Sequence, residues 1–572
     1  MNKEKVRIIG FQSGHDVSYC ILDNGVPVIH EELERFTREK EPFGDGLKMF
    51  FDVMPDEDIE PIKYFCYGNP GNRTGRIQIS KTAESKNELA TKKMNNLIEK
   101  NDGEFFIISH HQSHAANAFF SSNFDEALII TIDGAGIDKV EWEDIKTERD
   151  GTDEFSFPTS FTFWMGKGNK IKPLKRIHMY EITLGSPYKI FTRDLFGLSG
   201  GYPYGNQAGT VMAMACMGDS DKYWREFYDS LKRGGGGPSA SNMNLAKKYK
   251  DLIESETDEK KKETLKFDVA AGIQRAVETI SREYITPYIE KYKPKNICMS
   301  GGVTLNSVMV GKMYDWYDGV VDNIYVCPVP YDAGLAIGSA QYVYHQVFDN
   351  PRINWKDNAS PYLGRTYNKK EILESLDKVS DKVSFKTTTD DIVVNLLTKD
   401  NNVISVFGGG SESGRRALGN RSILADPRSP NMKDIINEKV KHRQWFRPFA
   451  PSILREEVKN WFDRDVESPY MTTVIKFKEN VRDKVPAVVH YDGSARLQTV
   501  TENDNKWYYN FIKKFKEKTD VPILLNTSFI DREPIVETPE HAINCYLGTD
   551  IDYLYFVDAK LLVEKKEKNE EN

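Results

Sequence analysis

Apolar positions along the chain come in two rhythms. Short apolar runs close on turn residues, and one long stretch repeats its apolar positions at helical spacing. Residues 6–11 (VRIIGF) and 17–22 (VSYCIL) read as strands, and Asp23-Asn24-Gly25 supplies hairpin turn chemistry into a third strand at 26–30. A further strand, 127–132 (ALIITI), ends at Asp133-Gly134-Ala135-Gly136. From Phe267 to Tyr292, Val269, Ile273, Val277 and Ile280 recur at the spacing of a long amphipathic helix. It leads to a strand at 296–299, the turn Ser300-Gly301-Gly302-Val303 and another helix. Strands that end in glycine turns and open into helices predict an α/β fold with ligands at the strand ends.

The pattern lapses between 346 and 365, where Asp349-Asn350-Pro351, Asn358-Ala359-Ser360-Pro361 and Gly364 break regular structure. This predicts two domains, 1–355 and 356–572, with strands of the second near 403–407 and 521–525. Lys232-Arg233 followed by four glycines reads as a loop, 255–264 as a charged surface and 564–572 as a solvated tail. No repeat of solenoid type is visible.

Composition narrows the class. With 572 residues, 39% hydrophobic and 29% charged, the chain is that of a globular protein with several domain-sized units. A net charge of -8 gives no global case for nucleic-acid binding, although a local basic groove is compatible with it. The six cysteines are widely spaced and form no CxxC pair, which argues against a structural zinc site or a disulfide framework and fits a reducing cytoplasm. The opening apolar run is too short for a signal peptide, and no apolar stretch is long enough to span a bilayer.

Candidate chemistry concentrates in a few places. In Ser109-His110-His111-Gln112-Ser113-His114, the alanines and aromatics that follow favour helix, so His110 and His114 share one face at i and i+4. His111 points elsewhere, toward substrate or structure. Asp133 and Asp332 sit at strand ends, where each alone reads as a helix cap. Together with the histidines they make a mixed nitrogen/oxygen site suited to iron, manganese or zinc. The glycines at 134–136 and 301–302 offer backbone N–H groups to phosphate, although a tight turn is the better explanation of such a pair taken alone. Three later clusters, 414–422, 441–449 and 490–496, set arginines among glycine, proline and aromatic residues, a setting for bidentate capture of phosphate or carboxylate. Asn526-Thr527-Ser528-Phe529 closes a strongly apolar strand.

At these residues the chain resembles the O-carbamoyltransferases of the NodU/CmcH type, nearly end to end. The matching pieces are Gly14-His15-Asp16, Glu34-Arg35-Phe36-Thr37-Arg38, HHxxHAA at 110–116, DGxG at 133–136, SGGVxLN at 300–306 and DAG at 332–334. They continue with RALGNRSILADPR at 416–428, RPFAPS at 447–452, DGxxRxQTV at 492–500 and NTSF at 526–529. The resemblance implies a large N-terminal actin/sugar-kinase-like (ASKHA) domain that transfers the carbamoyl group, followed by a smaller YrdC-like α/β domain that makes carbamoyl-adenylate from ATP and carbamoyl phosphate. It implies a metal, Fe2+ or another divalent transition metal, on His110, His114, Asp133 and Asp332, with Mg2+ as a further candidate. It places Arg416, Lys441, Arg447, Arg496 and Ser528 around the adenylation site, with Lys441, Arg496 and Ser528 in the chemistry, and Gly301, Gly302 and Asn306 beside nucleotide or carbamoyl phosphate. His15 becomes the base at the acceptor hydroxyl. A reactive adenylate calls for a water-poor site or internal passage.

Three departures stand out. Arg415 replaces the proline that relatives carry before Arg416, Gly408-Gly409-Gly410 stand where relatives have an acidic-aromatic lead-in, and Thr210 replaces a lysine. The implied partner is a hydroxyl-bearing acceptor: a small molecule, sugar or nucleotide, with hydroxymethylated bases in DNA as the macromolecular alternative and a non-catalytic nucleotide-binding protein as the alternative of another class. No membrane partner is expected, and a homodimer is compatible with the sequence.

Overall fold

The computed structural model describes residues 5–54, 62–68, 79–138, 157–198, 207–233, 240–355, 360–531 and 533–566. The glycine run at 234–237 and the last residues of the charged tail, both expected to be irregular, lie outside the described residues, as do 356–359 of the connecting stretch. The chain divides into two compact units, Met1–Ser360 and Pro361–Asn572.

The first unit contains two five-stranded sheets. One is built from β1 (Arg7–Gln12), β2 (Ser18–Asp23), β3 (Val26–Glu32), β4 (Tyr64–Tyr67) and β5 (Glu104–Ile107), in the order β3-β2-β1-β4-β5. The other is built from β6 (Glu126–Asp138), β7 (Phe157–Lys167), β8 (Lys170–His178), β9 (Asn296–Ser300) and β10 (Asn323–Val326), in the order β10-β9-β6-β7-β8. In each, the first three strands form an antiparallel meander and the last two join the first strand in parallel. This doubled topology is that of the actin/sugar-kinase-like fold. The apolar runs are unbroken because the sheets are covered on both sides. Neighbours Ile8 and Ile9 in β1 belong to different apolar clusters, one shared with Leu22 and Val343, the other with Tyr19 and Phe50.

Two helices pack against each other, one lying on β1 and the other on β6 and β9. The helix His110–Phe120 follows β5, and the helix Leu335–Tyr342 follows the DAG turn. Gly338 permits their approach, since a Cβ there would lie 1.9 Å from the Ser113 carbonyl oxygen. Arg352, in the connecting stretch, clamps the C-terminal end of the first of these helices. Its guanidinium donates to the carbonyls of Phe119 (2.9 Å), Ser122 (2.7 Å) and Phe124 (3.0 Å). A cation there meets the negative end of the helix dipole.

Two expectations shift. β6 does not stop at Asp133 but continues to Asp138, with a register break between Ile132 and Gly136. The DGAG segment is therefore a bulge within a strand and not a turn; bulges re-aim side chains, here Asp133. The long helix starts at Glu259, well before Phe267, because the Asp258 side chain caps it by accepting from the Lys260 and Lys261 N–H groups.

The second unit is a nine-stranded mixed sheet flanked by helices. Its strands are β11 (Val383–Thr387), β12 (Ile404–Phe407), β13 (Arg421–Ala425), β14 (Ala450–Leu454), β15 (Thr473–Lys476), β16 (Ser494–Val500), β17 (Ile523–Ser528), β18 (Tyr553–Phe556) and β19 (Leu561–Lys565). They run in the order β11-β19-β18-β12-β13-β17-β14-β16-β15. Among the described residues no helix is long and apolar enough to cross a membrane.

Candidate functional site

In the first unit, His110, His114, Asp133 and Asp332 each offer a donor atom, and the four atoms lie within 4.8 Å of one another. His110 and His114 stack one turn apart on their helix, Asp133 comes from the β6 bulge, and Asp332 opens the turn before the helix Leu335–Tyr342. His110 Nε2 is 3.0 Å from Asp133 Oδ2 and 3.6 Å from Asp332 Oδ1. His114 Nε2 is 3.5 Å from Asp332 Oδ1. Gly136 is required at the bulge, because a Cβ there would lie 2.1 Å from His110 Cδ2. Gly136 thus serves close packing on the imidazole, whereas Gly134 faces Ser186.

The tautomer of His114 follows from its neighbours. Ser300 Oγ donates to the Pro330 carbonyl at 3.2 Å, so it accepts from His114 Nδ1–H at 3.0 Å. That leaves the Nε2 lone pair aimed at the cluster, buried and without a hydrogen-bond partner. A buried lone pair facing two carboxylates and a second imidazole is a donor set that fits a transition-metal cation. Asp133 is held from behind by the Gly302 N–H, 3.0 Å from Oδ1. Burial opposes charge on His110, but Asp332 and Asp133 outweigh it and raise its pKa to about 9. Burial works against the Asp133 charge as well, yet the His110 hydrogen bond holds its carboxyl well below the usual range.

His111 plays no part in this cluster. Its Nε2–H donates to the Thr159 carbonyl (3.0 Å), and Nδ1 accepts from Thr131 Oγ1 (2.5 Å). Burial pushes its pKa down to about 4, so it is a neutral structural histidine.

His15 stands at the edge of the cluster, half of its side chain exposed. Its Nδ1 bonds Asp16 at 2.9 Å, and its Nε2 is 3.5 Å from Asp332 Oδ2. The Asp332 turn has its own anchors: the Ala333 carbonyl accepts from Ser18 Oγ (2.8 Å) and His30 Nε2 (2.9 Å). Gly301, at φ 98°, packs on the Ile132 carbonyl, and Asn306 caps the helix Ser307–Trp316 while bonding Gln274. Their side of the turn therefore carries structural bonds, and Gly302 reaches the cluster through Asp133. Thr210 is buried in the helix Ala208–Ala215.

The second unit has a centre of the opposite sign. Arg416, Arg447 and Arg496 are close enough for their charges to act on one another, and Arg443 faces the last two. Burial, then Arg416 and Arg447, depress the Arg496 pKa well below its ordinary value; burial lowers Arg447 to about 10. Among the described residues Arg443, Arg447 and Arg496 make no ion pair with a carboxylate. Arg496 comes from β16, whereas Arg447 lies just before β14 and Arg416 just before β13.

The loop carrying Arg416 is fixed by Glu412, whose Oε1 accepts from the N–H groups of Leu418 and Asn420 at 2.8 Å each. It is also held by Gln498 Nε2, which donates to the Leu418 carbonyl at 2.9 Å. Lys441 is buried and donates to the carbonyls of Ser528 and Ile530, which ties it to the turn after β17. Arg421 is structural: fully buried, it lies 3.6 Å over the Phe407 ring and donates to the Gly408 carbonyl. Sequence reading missed Ser300, Asp16, His30 and Glu412 as supports, because each acts on a partner far away or through backbone geometry.

Comparisons with known proteins show the family. The carbamoyltransferase N-terminus model matches residues 77–341 and the carbamoyltransferase C-terminus model matches 395–565. An uncharacterized protein of Synechocystis is 32% identical over 97% of this chain and 97% of its own length. Nodulation protein NolO of Bradyrhizobium diazoefficiens is 33% identical over 80% of this chain and 79% of its own. HypF of T. kodakarensis overlaps 60% of this chain and 48% of its own at a TM-score of 0.34 and 14% identity, too distant to bear on the reaction. By its two domain models and its relatives, the chain belongs to the carbamoyltransferase family and is a carbamoyltransferase enzyme.

Proposed function

We propose that the protein is an ATP-dependent O-carbamoyltransferase whose two units divide the reaction. The observation that carries this reading is the buried His114 Nε2, without a hydrogen-bond partner, facing His110, Asp133 and Asp332, in a chain of this family. The arginine cluster of the second unit supports the other half. Half-buried Arg443, Arg447 and Arg496, with no carboxylate partner among the described residues, favour a polyanion.

In the second unit, water cleaves carbamoyl phosphate to carbamate and phosphate; a carbamate oxygen then attacks the α-phosphorus of ATP, forming carbamoyl-adenylate as pyrophosphate leaves. Arg416, Arg447 and Arg496 offset the phosphate charge, and Lys441 holds the Ser528 turn against them. In the first unit, the acceptor oxygen bonds the carbamoyl carbon and AMP departs. His110, His114, Asp133 and Asp332 would hold a divalent transition metal, Fe2+ as implied by the family resemblance, which would supply Lewis acidity when bound. Asp16 orients His15 through Nδ1 and raises its pKa to about 9, so the neutral fraction of His15, which grows as pH rises toward that value, takes the acceptor proton at Nε2. The acceptor is an alcohol of a small molecule, sugar or nucleotide.

Two half-reaction assays test this. Wild-type protein should show ATP–pyrophosphate exchange only with carbamoyl phosphate present. Lys441→Ala should lose that exchange yet transfer from carbamoyl-adenylate supplied directly, while His15→Asn should do the reverse. Variants that fail both assays, with unchanged thermal melting, would reject the division of labour.

A further inference from the structure

The segment following the short helix Glu34–Thr37 brings an aromatic ring to the edge of the cluster. Phe43 is 82% exposed, the most exposed large apolar side chain among the described residues. Water-facing rings of that size usually fold back onto the surface, since burying one recovers hydrophobic free energy. Here the backbone prevents it. Gly14 and Gly44 form an isolated antiparallel bridge with two hydrogen bonds, Gly14 N–H to Gly44 O and Gly44 N–H to Gly14 O, each 2.9 Å. Gly46 N–H then donates to Ser13 Oγ at 3.0 Å, and the Asp45 side chain caps the helix Gly46–Val53. Phe43 and His15 are each one residue from the bridge, on facing strands. Their rings lie edge to face with centroids 6.4 Å apart.

His15 in turn stands 3.5 Å from Asp332, one of the four clustered donors. The bridge thus fixes three things in a row: an exposed aromatic face, a half-exposed imidazole and the buried cluster. An aromatic face in that position offers little to a linear alcohol. It offers a stacking platform to an acceptor whose hydroxyl is carried on a ring, with the hydroxyl directed at His15. Nothing charged is contributed by Phe43, so the ring it receives is recognised by its face and not by an ionic group.

We infer that Phe43 is the specificity-determining platform of the acceptor site, and that it selects alcohols borne on a ring, stacked beside His15. The inference rests on the reading of His15 and the four-residue cluster as the transfer site. Two ring chemistries share this recognition, a flat aromatic or heteroaromatic ring and the apolar face of a sugar, and the test separates them.

The full-length, metal-loaded protein is assayed with ATP and carbamoyl phosphate and three probes: benzyl alcohol, methyl glucoside and 1-butanol. Carbamate products are quantified by mass spectrometry, and carbamoyl-phosphate-dependent pyrophosphate release is followed alongside. Wild type should favour at least one ring alcohol over 1-butanol in kcat/KM. Which of the two it favours assigns the ring class. Phe43→Ala should cut the ring-to-chain ratio about ten- to a hundredfold, the worth of one stacking contact. The effect should fall on KM, and Phe43→Tyr should restore most of it. Because the side chain is exposed, the substitution leaves the core intact, which unchanged thermal melting verifies.

The inference is overturned if wild type shows no preference for ring alcohols, if it modifies none of them, or if Phe43→Ala leaves the ratio unchanged. Failure of the underlying reading has a different signature. Pyrophosphate release would not depend on carbamoyl phosphate, or His15→Asn would transfer to every probe as well as wild type.

Discussion

The two units hold clustered charge of opposite sign. In the first, Asp133 and Asp332 face two imidazoles, one of which presents a buried nitrogen without a hydrogen-bond partner. In the second, Arg443, Arg447 and Arg496 crowd together with no carboxylate partner among the described residues. Unpaired buried charge is costly, so each centre is a statement about what it is built to receive. The first asks for a cation and the second for an anion with several negative oxygens. A carbamoyl group activated on a phosphate needs both settings, one to neutralise the phosphates as the adenylate forms and one to hold the reacting group near an acceptor.

The comparison breaks most sharply if the histidine pair is removed. His110→Ala/His114→Ala should drop bound metal from about one equivalent per chain to background, with transfer falling to the level of a no-enzyme control. Elemental analysis after anaerobic purification decides it, and equal metal in variant and wild type would sink the metal assignment. Carbamoyl-phosphate-dependent pyrophosphate exchange, which belongs to the other centre, should persist in the same variant.

The converse change is Arg496→Met. It should abolish pyrophosphate exchange while raising, not lowering, the melting temperature in phosphate-free buffer, because a crowded cation has been removed. Adding ATP or phosphate should stabilise wild type but not the variant. A melting temperature that falls without ligand would show that Arg496 is paired in a way the comparison does not allow for.

Smaller effects sharpen the picture. His15→Asn should slow transfer about 10²–10⁴-fold, the usual loss for one positioned acid–base group, with metal content unchanged. Ser300→Ala removes the acceptor of the His114 Nδ1–H bond and should weaken metal binding about 10–100-fold. Competition with a chelator measures it; an unaltered affinity would mean that the helix alone fixes the His114 ring.

Much of this was legible in the sequence, for reasons that are local. The i,i+4 spacing of His110 and His114 places both imidazoles on one helix face wherever the helix goes. Apolar runs and the Asp23-Asn24-Gly25 turn specify the first hairpin, and glycine-flanked arginines mark the cationic loops. The long helix was visible from its apolar spacing, although its start depends on Asp258, a cap that lies before the pattern begins.

What the sequence determined by itself is the inventory: the strands, the histidine helix, the family motifs and the kinds of donor each motif carries. Those follow from interactions within a few residues. The tertiary structure alone decided what each donor faces. Asp133 and Asp332 meet the histidines because β6 bulges past Ile132 and the helix after Asp332 packs against the histidine helix at Gly338. His111, between two clustered histidines, turns to Thr131 and Thr159 instead. Ser300 chooses the His114 tautomer from 186 residues away, and a bridge between two glycines sets Phe43 beside His15. Such contacts join residues far apart in the chain, and no local preference encodes them; they exist only when the sheets and helices have packed.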